Sequence, residues 1–489
     1  MTLLFEAVSR WPAAKAWQGA VQNSTLDKKP TNALLSHHPM IHPNHLPAVV
    51  PASGGALTTT PGTQRIATRM ADDLLAVAHS RERALAAQRR YRIGKYEFRE
   101  ADHAQIQRWA RMLGIGPEDV VEGLDGCKQK CEVGDEIELT GFHVQNGSIV
   151  SLAWDFSKFP LTDWAWIDGL KIETLGIIGS QPDNHLPPLP RSLIALFCMG
   201  CGLSRLDLVG VPMLEKLRCG DNKLTHLDLS PVPALNELCC IGNKLSELEL
   251  RYTPGLVWLE CGDNELTQLN LACVENLIFL ECGANELMSL DITSLLSLES
   301  LWCASNMLTK LDLSDSQDLK YLAFSDNQLN HLDLAPVPGL VSLDCNGNKL
   351  TDLDLTPVPG LTTLDCGANQ LTHLDLTPVP ELVWLRCFNN RLTEIKLAFS
   401  PRLTTLWCYE NHMKRLDLSL TPELKELNCS SNQLTYLDLS LTQGLTRLIC
   451  CHNQLTALDL THVPLLTWLV CDPDLKLTNA PRNLKVYRI

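Results

Sequence analysis

Cysteine is the residue in this chain whose numbers and spacing most invite chemistry. The 489 residues include nineteen cysteines. Most fall in one series at a fixed step of 21: Cys219, Cys240, Cys261, Cys282 and Cys303, then Cys345 through Cys450. Only Phe324 breaks the series, and Cys198 and Cys471 extend it at either end. Thiols form disulfides, ligate zinc or attack electrophiles. A disulfide needs two side chains turned toward each other, and tetrahedral zinc needs clustered ligands. A constant step gives parallel side-chain vectors instead, so the series predicts a ladder of reduced, buried thiols acting as small apolar filler.

The other candidates for chemistry are weaker. Cys127 and Cys131 make a single C-x-x-x-C pair with no second pair nearby. His37, His38, His42 and His45 lie in a Pro- and Ser-rich stretch that reads as solvated linker. No Ser-His-Asp order or phosphate loop is present. The chain therefore reads as a non-enzyme, with no catalytic residue, metal site or cofactor.

The elements that position these cysteines follow from the same period. Asparagine recurs three residues after each ladder position, from Asn222 to Asn453 in steps of 21. One unit from Leu214 reads LEKLRCGDNKLTHLDLSPVPA. Its first half, L-x-x-L-x-C-x-x-N-x-L, resembles the leucine-rich-repeat signature with cysteine in the third apolar place. Its second half, L-T-x-L-D-L-S-x-x-P, resembles the 21-residue repeats of bacterial leucine-rich proteins, internalin-like or leucine-rich-effector-like. The resemblance implies an α/β-class, mostly β solenoid: a curved parallel sheet on the concave face and short turns on the convex one, with stability from stacked neighbours. It also implies that each asparagine bonds backbone groups of its turn. Prolines such as Pro212, Pro233, Pro254, Pro338 and Pro359 fix φ at the return loop.

Five segments are expected: 1–64 disordered, 65–119 a basic helical segment, 120–190 an N-terminal cap with degenerate repeats, 191–473 an array of about 13 repeats, and 474–489 a C-terminal cap. Ile172, Leu175 and Ile177 and the run SIVSLAWDF (148–156) read as degenerate strands. The stretch 71–93 favours a basic helix. Residues 101–124 read as two short helices, with Asp102 as first cap, Gly114 as stop and Pro117 in the first turn of the second.

Charge narrows the function classes. The net charge is −15, yet Arg65–Arg111 holds eleven Lys or Arg against six Asp or Glu. The remainder is strongly acidic, which disfavours nucleic acid and favours a basic or apolar partner. No run is apolar enough for a membrane-spanning helix, and the N-terminus is a poor secretory signal.

Residues flanking the inward leucine of each strand face the open surface. Two clusters of large side chains fall there: Trp258, Phe279, Trp302 and Tyr321 on four consecutive rungs, and Trp384, Arg386, Phe388, Trp407 and Tyr409 on two. Trp468 lies further along. Burial inside the protein is not expected for these tryptophans. Such residue types dominate binding hot spots, so the expected role is a monomeric scaffold that binds a protein partner on its concave face. The alternatives are a bacterial effector acting on a host protein and a helix-turn-helix adaptor tethered to DNA. The expected location is cytoplasmic, or a host cell reached by a non-Sec route. A second column, from Asp207 to Asp459 with Glu249 among them, points outward in the L-D-L segment. Its mutual repulsion needs relief from threonine hydroxyls, backbone N–H groups or divalent cations.

Overall fold

The structure, a computed structural model, describes residues 89–127, 129–133, 135–139, 142–159, 167, 170–179, 186, 188–397 and 400–489. The expected 1–64 segment, the histidine tract and most of the expected 71–93 helix lie outside these residues.

The described chain opens with a hairpin, β1 (Tyr91–Ile93) and β2 (Tyr96–Phe98). This corrects the helical reading of 91–93. Tyr-Arg-Ile and Tyr-Glu-Phe alternate at period two around Gly94 and Lys95, and Gly94 takes the positive φ of 56° that the tight turn requires. Helices α1 (Glu100–Leu113) and α2 (Pro117–Asp125) follow. Gly114 ends α1 in the left-handed region and Pro117 opens α2, as expected, and the Asp119 carboxylate there accepts the Gly116 N–H at 3.1 Å. Asp102 is not the cap. It lies inside the first turn, buried, and its Oδ1 accepts the Ile149 N–H at 2.8 Å, tying α1 to the sheet. Residues 119 and 120 both fall within α2, so a segment boundary there would cut a helix.

After β3 (Gln129–Val133) and β4 (Asp135–Leu139), an antiparallel pair, the main sheet begins. β5 (Phe142–Gln145) and β6 (Ser148–Asp155) form its antiparallel edge. β7 (Thr174–Ile178) and β8 (Ala195–Phe197) then add in parallel. Three-residue strands continue rung by rung from Lys216–Arg218 to Arg447–Ile449. The sheet ends with Trp468–Cys471 and Lys485–Arg488. The pairing advances one neighbour at a time, so the sheet is open and the fold is a solenoid. From Leu152 to Leu469 leucine lies on leucine in every rung: Leu217 on Leu238, Leu238 on Leu259, and so on, with Val486 closing the series.

Each unit sends the same residues inward. In the first full repeat Leu214, Leu217, Cys219, Leu224, Leu227, Leu229 and Val232 are all buried. The helices share this core: Ile106, Trp109, Val120 and Leu124 join Trp154, Phe142 and Phe159, with Trp109 and Trp154 rings 5.2 Å apart. The cap closes the solenoid with aromatic volume where the repeat has no preceding leucine layer to offer.

The asparagine ladder is as the repeat implies. Asn348 Nδ2 donates to the carbonyls of Cys345, Asn346 and Phe324, the last in the previous rung. Its Oδ1 accepts the Leu329 N–H at 3.0 Å, also in the previous rung. The ladder cysteines are free and buried, and burial pushes the Cys219, Cys303 and Cys408 thiols up to about 12. They are protonated fillers at neutral pH.

The acidic column is relieved locally. Asp228, Asp312, Asp333, Asp354 and Asp438 each accept, through Oδ1, the backbone N–H two residues on. Asp291 and Asp459 add a threonine hydroxyl. Glu249 pairs instead with Arg251 at 2.6 Å. The hydroxyl and backbone N–H of the Ser or Thr two residues on hold Asp228, Asp291, Asp354, Asp375, Asp417 and Asp438 below the usual carboxylate range, and Asp459 at about 2. Among the described residues no three metal-ligating side chains gather at one point.

Three outcomes follow from this packing. Iodoacetamide applied to the native protein is expected to label Cys273, which is exposed, and to leave the ladder thiols unmodified until denaturant is added. Mass spectrometry reads this directly. Replacing Asn348 by Ala strands the buried Leu329 N–H and takes one of two donors from each of three carbonyls, and should cost about 1–3 kcal/mol by urea unfolding. The third concerns acid. A lowered folded pKa contributes stability that is present above the unfolded value near 4 and lost as pH falls through the folded value. Asn270 makes the same turn without a charge, accepting the Ala272 N–H. Asp354→Asn/Asp375→Asn should therefore fold normally and lose less melting temperature than wild type between pH 5 and pH 2.5.

Candidate functional site

Each strand from Lys216–Arg218 to Arg447–Ile449 is a three-residue x-L-x segment, so the two flanking side chains leave the sheet on the face away from the core. Rungs stack about 4.8 Å apart, and the 21-residue step brings like position against like position. Side chains in one column must therefore touch, repel or make room.

The first cluster touches. Trp258 and Phe279 stack with centroids 3.9 Å apart and planes 9° from parallel. Trp302 meets Phe279 edge-on at 5.7 Å. Tyr321 follows on the next rung, half-buried. The column beside them is acidic, with Glu260 paired in register with Glu281. Trp258 Nε1 donates to Glu260 Oε1 at 2.7 Å. Glu281 accepts the N–H groups of Gly262 and Gly283, each at 2.9 Å. Glu281 lies back across Gly262, where a Cβ would sit 2.3 Å from its Oε1. Burial, followed by the neighbouring Glu260 charge, pushes Glu281 up to about 8.

The second cluster is built around a cation. The Arg386 guanidinium carbon lies 4.1 Å from the ring centroids of both Trp384 and Trp407, sandwiched between them. It also pairs with Asp365 at 3.5 Å. Asp365 is in register with Asp344, and burial raises both carboxyls above their ordinary range. Phe388 and Tyr409 stack alongside at 4.7 Å, 2° from parallel. Gly367 makes room for the Phe388 ring, which would stand 2.6 Å from a Cβ. Trp468 packs on Tyr487 of the last strand, 4.3 Å away.

These contacts correct one expectation. The face does offer burial: Phe279 is 4% exposed and Trp384 8%, because neighbouring rungs cover them. The remaining aromatics of both clusters are half-buried. Sequence columns located the clusters but passed over Glu260, Glu281, Asp344 and Asp365 as contributors. Their signal was available: two acidic residues one repeat apart in a strand column.

Cys127 does not read as a nucleophile. Its side chain is buried, its Sγ lies 3.2 Å from the Gly123 carbonyl, and burial raises its pKa. Among the described residues no helix is long and apolar enough to cross a membrane.

No protein-family model matches the chain, and no curated protein matches it by sequence. Solved structures do. The functional domain of InlJ from Listeria monocytogenes, described as including a cysteine ladder, is 32% identical over 59% of this chain and 69% of that one, with a TM-score of 0.54. YopM, a leucine-rich effector protein from Yersinia pestis, is 27% identical over 65% of this chain and 83% of its own, with a TM-score of 0.54. A leucine-rich-repeat protein of Leptospira interrogans shares the fold at 24% identity and a TM-score of 0.56, covering 62% of this chain and 84% of that one. With its 21-residue step, asparagine ladder and cysteine column, the chain belongs to the bacterial type of leucine-rich-repeat protein represented by InlJ.

Proposed function

We propose that this protein is a non-enzymatic scaffold that holds a protein partner on the outer face of its parallel sheet. The observation that carries the reading is the Trp384–Arg386–Trp407 sandwich with Phe388 and Tyr409 beside it. Trp, Tyr and Arg are the residue types that carry most interface energy. Here they are fixed in place before any partner arrives, which lowers the ordering cost of binding. The first cluster, Trp258, Phe279, Trp302 and Tyr321, and the more distant Trp468 would extend the same contact surface along the array.

A repeat surface suits this role. Its rungs vary only at face positions, so recognition can change without disturbing the core. The likeness to YopM, described as an effector, supports a second reading in which the partner belongs to a host cell.

The test uses the full chain, immobilised, with lysates of bacterial and host origin. A partner retained by wild type is expected to bind at least about tenfold more weakly to Trp384→Ala/Trp407→Ala, the loss usual for hot-spot residues. Circular dichroism should show the variant folded. Undiminished binding by a folded variant would remove the second cluster from the site.

A further inference from the structure

The strand face carries two acidic pairs on adjacent rungs, and they differ in one respect. Asp344 and Asp365 are followed in the same column by Arg386. That arginine pairs with Asp365 and stacks between two tryptophans. Glu260 and Glu281 are followed in the same column by Trp302. This second pair has the aromatic walls and the carboxylates but no cation of its own.

Among the described residues neither Glu260 nor Glu281 forms an ion pair. Lys216 is engaged by Glu237 at 2.5 Å. Arg218, two rungs before Glu260 in the column, forms no ion pair with it and leaves its Nη1 without a partner. Glu260 itself is 2% exposed. One of its oxygens takes the Trp258 N–H, and the other, Oε2, is buried with no hydrogen-bond partner. Trp302 Nε1 is likewise unpartnered. A buried carboxylate oxygen left unpaired is costly, and so are two carboxylates on adjacent rungs.

We propose that Trp258, Glu260, Phe279, Glu281 and Trp302 form a receptor site for an arginine side chain supplied by the partner protein. The inference rests on the reading of this face as a protein-binding surface and names what one part of it recognises. The occupied cluster shows the local solution: a planar guanidinium bonds a carboxylate at its edge and stacks on indole faces. The Trp258–Phe279 stack and the edge-on Trp302 supply flat walls, and Glu260 Oε2 supplies an acceptor without a donor. The raised pKa of Glu281 is consistent with an acid pair awaiting a counter-charge. The acidic character of the chain, at −15 overall, would draw a basic partner segment toward it. Lysine suits the site less, being a compact, strongly hydrated ion with no plane to stack.

The experiment is calorimetric titration of the full chain with a capped tetra-arginine peptide, beside tetralysine and tetraglutamate. Wild type is expected to bind tetra-arginine at least about tenfold more tightly than tetralysine, and tetraglutamate not at all. Glu260→Gln/Glu281→Gln should lose at least about tenfold in tetra-arginine affinity. Glu260→Gln alone should show a clear part of that loss. It guards against a misfolded double variant, because the Oε2 it changes has no partner to lose. Asp354→Asn/Asp375→Asn, which removes at least as much charge from the return side, should bind like wild type. Equal binding by the Glu260→Gln variants, equal loss in the Asp variant, or equal affinity for tetralysine would each overturn the proposal. Failure here with Trp384→Ala/Trp407→Ala still impairing partner capture leaves the scaffold reading standing. The reverse pattern separates the two the other way.

Discussion

The structure depends on how one asparagine side chain per turn bonds two rungs at once. Asn264, for example, gives its amide hydrogens to the carbonyls of Cys261 and Gly262 in its own rung and of Cys240 in the rung before. Its oxygen takes the Leu245 N–H. The bond set fixes the step between rungs, and every column on the molecule inherits that step. It also forces the chain to bend sharply just before the asparagine. The preceding residue takes a positive φ in rung after rung: Asp221, Asp263, Ala284, Ser305, Ala368, Glu410, His452. Only Gly242 and Gly347 do so without side-chain strain. A left-handed backbone carrying alanine, serine or glutamate persists where its surroundings over-determine it, and the asparagine bonds are what over-determine it here.

A fixed step has a consequence on the outside as well. Whatever residue occupies a column meets a copy of that column on either side. Leucine on leucine and cysteine on cysteine bury cleanly. Aspartate on aspartate does not, and the return turns resolve it by giving each carboxylate its own N–H within the turn. On the strand face no such local donor serves every rung, so the face resolves like-on-like contact case by case. Trp258 stacks on Phe279, Lys216 pairs with Glu237, Arg386 fills the gap beside Asp365. The proposed recognition surface is the part of the repeat that the period does not finish.

This division explains how much could be read from sequence. The period made the solenoid, the asparagine and cysteine ladders and the columns legible, since each is a one-dimensional property that stacking carries into three dimensions. Gly114 and Pro117 marked helix ends by backbone chemistry alone. The β1–β2 hairpin was lost to a helix-like composition in the residues before it. Asp102 was misread because an aspartate near a helix start is ordinarily a cap, and its real partner, Ile149, lies 47 residues away. The left-handed residues carried no signal, because their identities vary and the constraint lies in their neighbours. On the face, columns located the aromatics. They did not reveal that Trp384 would be covered, since coverage depends on how Arg386 and Trp407 lean across the rungs.

The departures from the consensus therefore carry the functional information. Glycine at 262 and 367 is a concession of space, made so that Glu281 and Phe388 can lie back over the previous rung. Cys239 is buried in the face column between Arg218 and Glu260 and holds these opposite charges two rungs apart. The core could tolerate many choices at these positions, because none of them points into it. They shape the outer surface, where a pair of acids without a cation ends at Glu281 and a cation clasped by two indoles stands five rungs on in the same column, at Arg386.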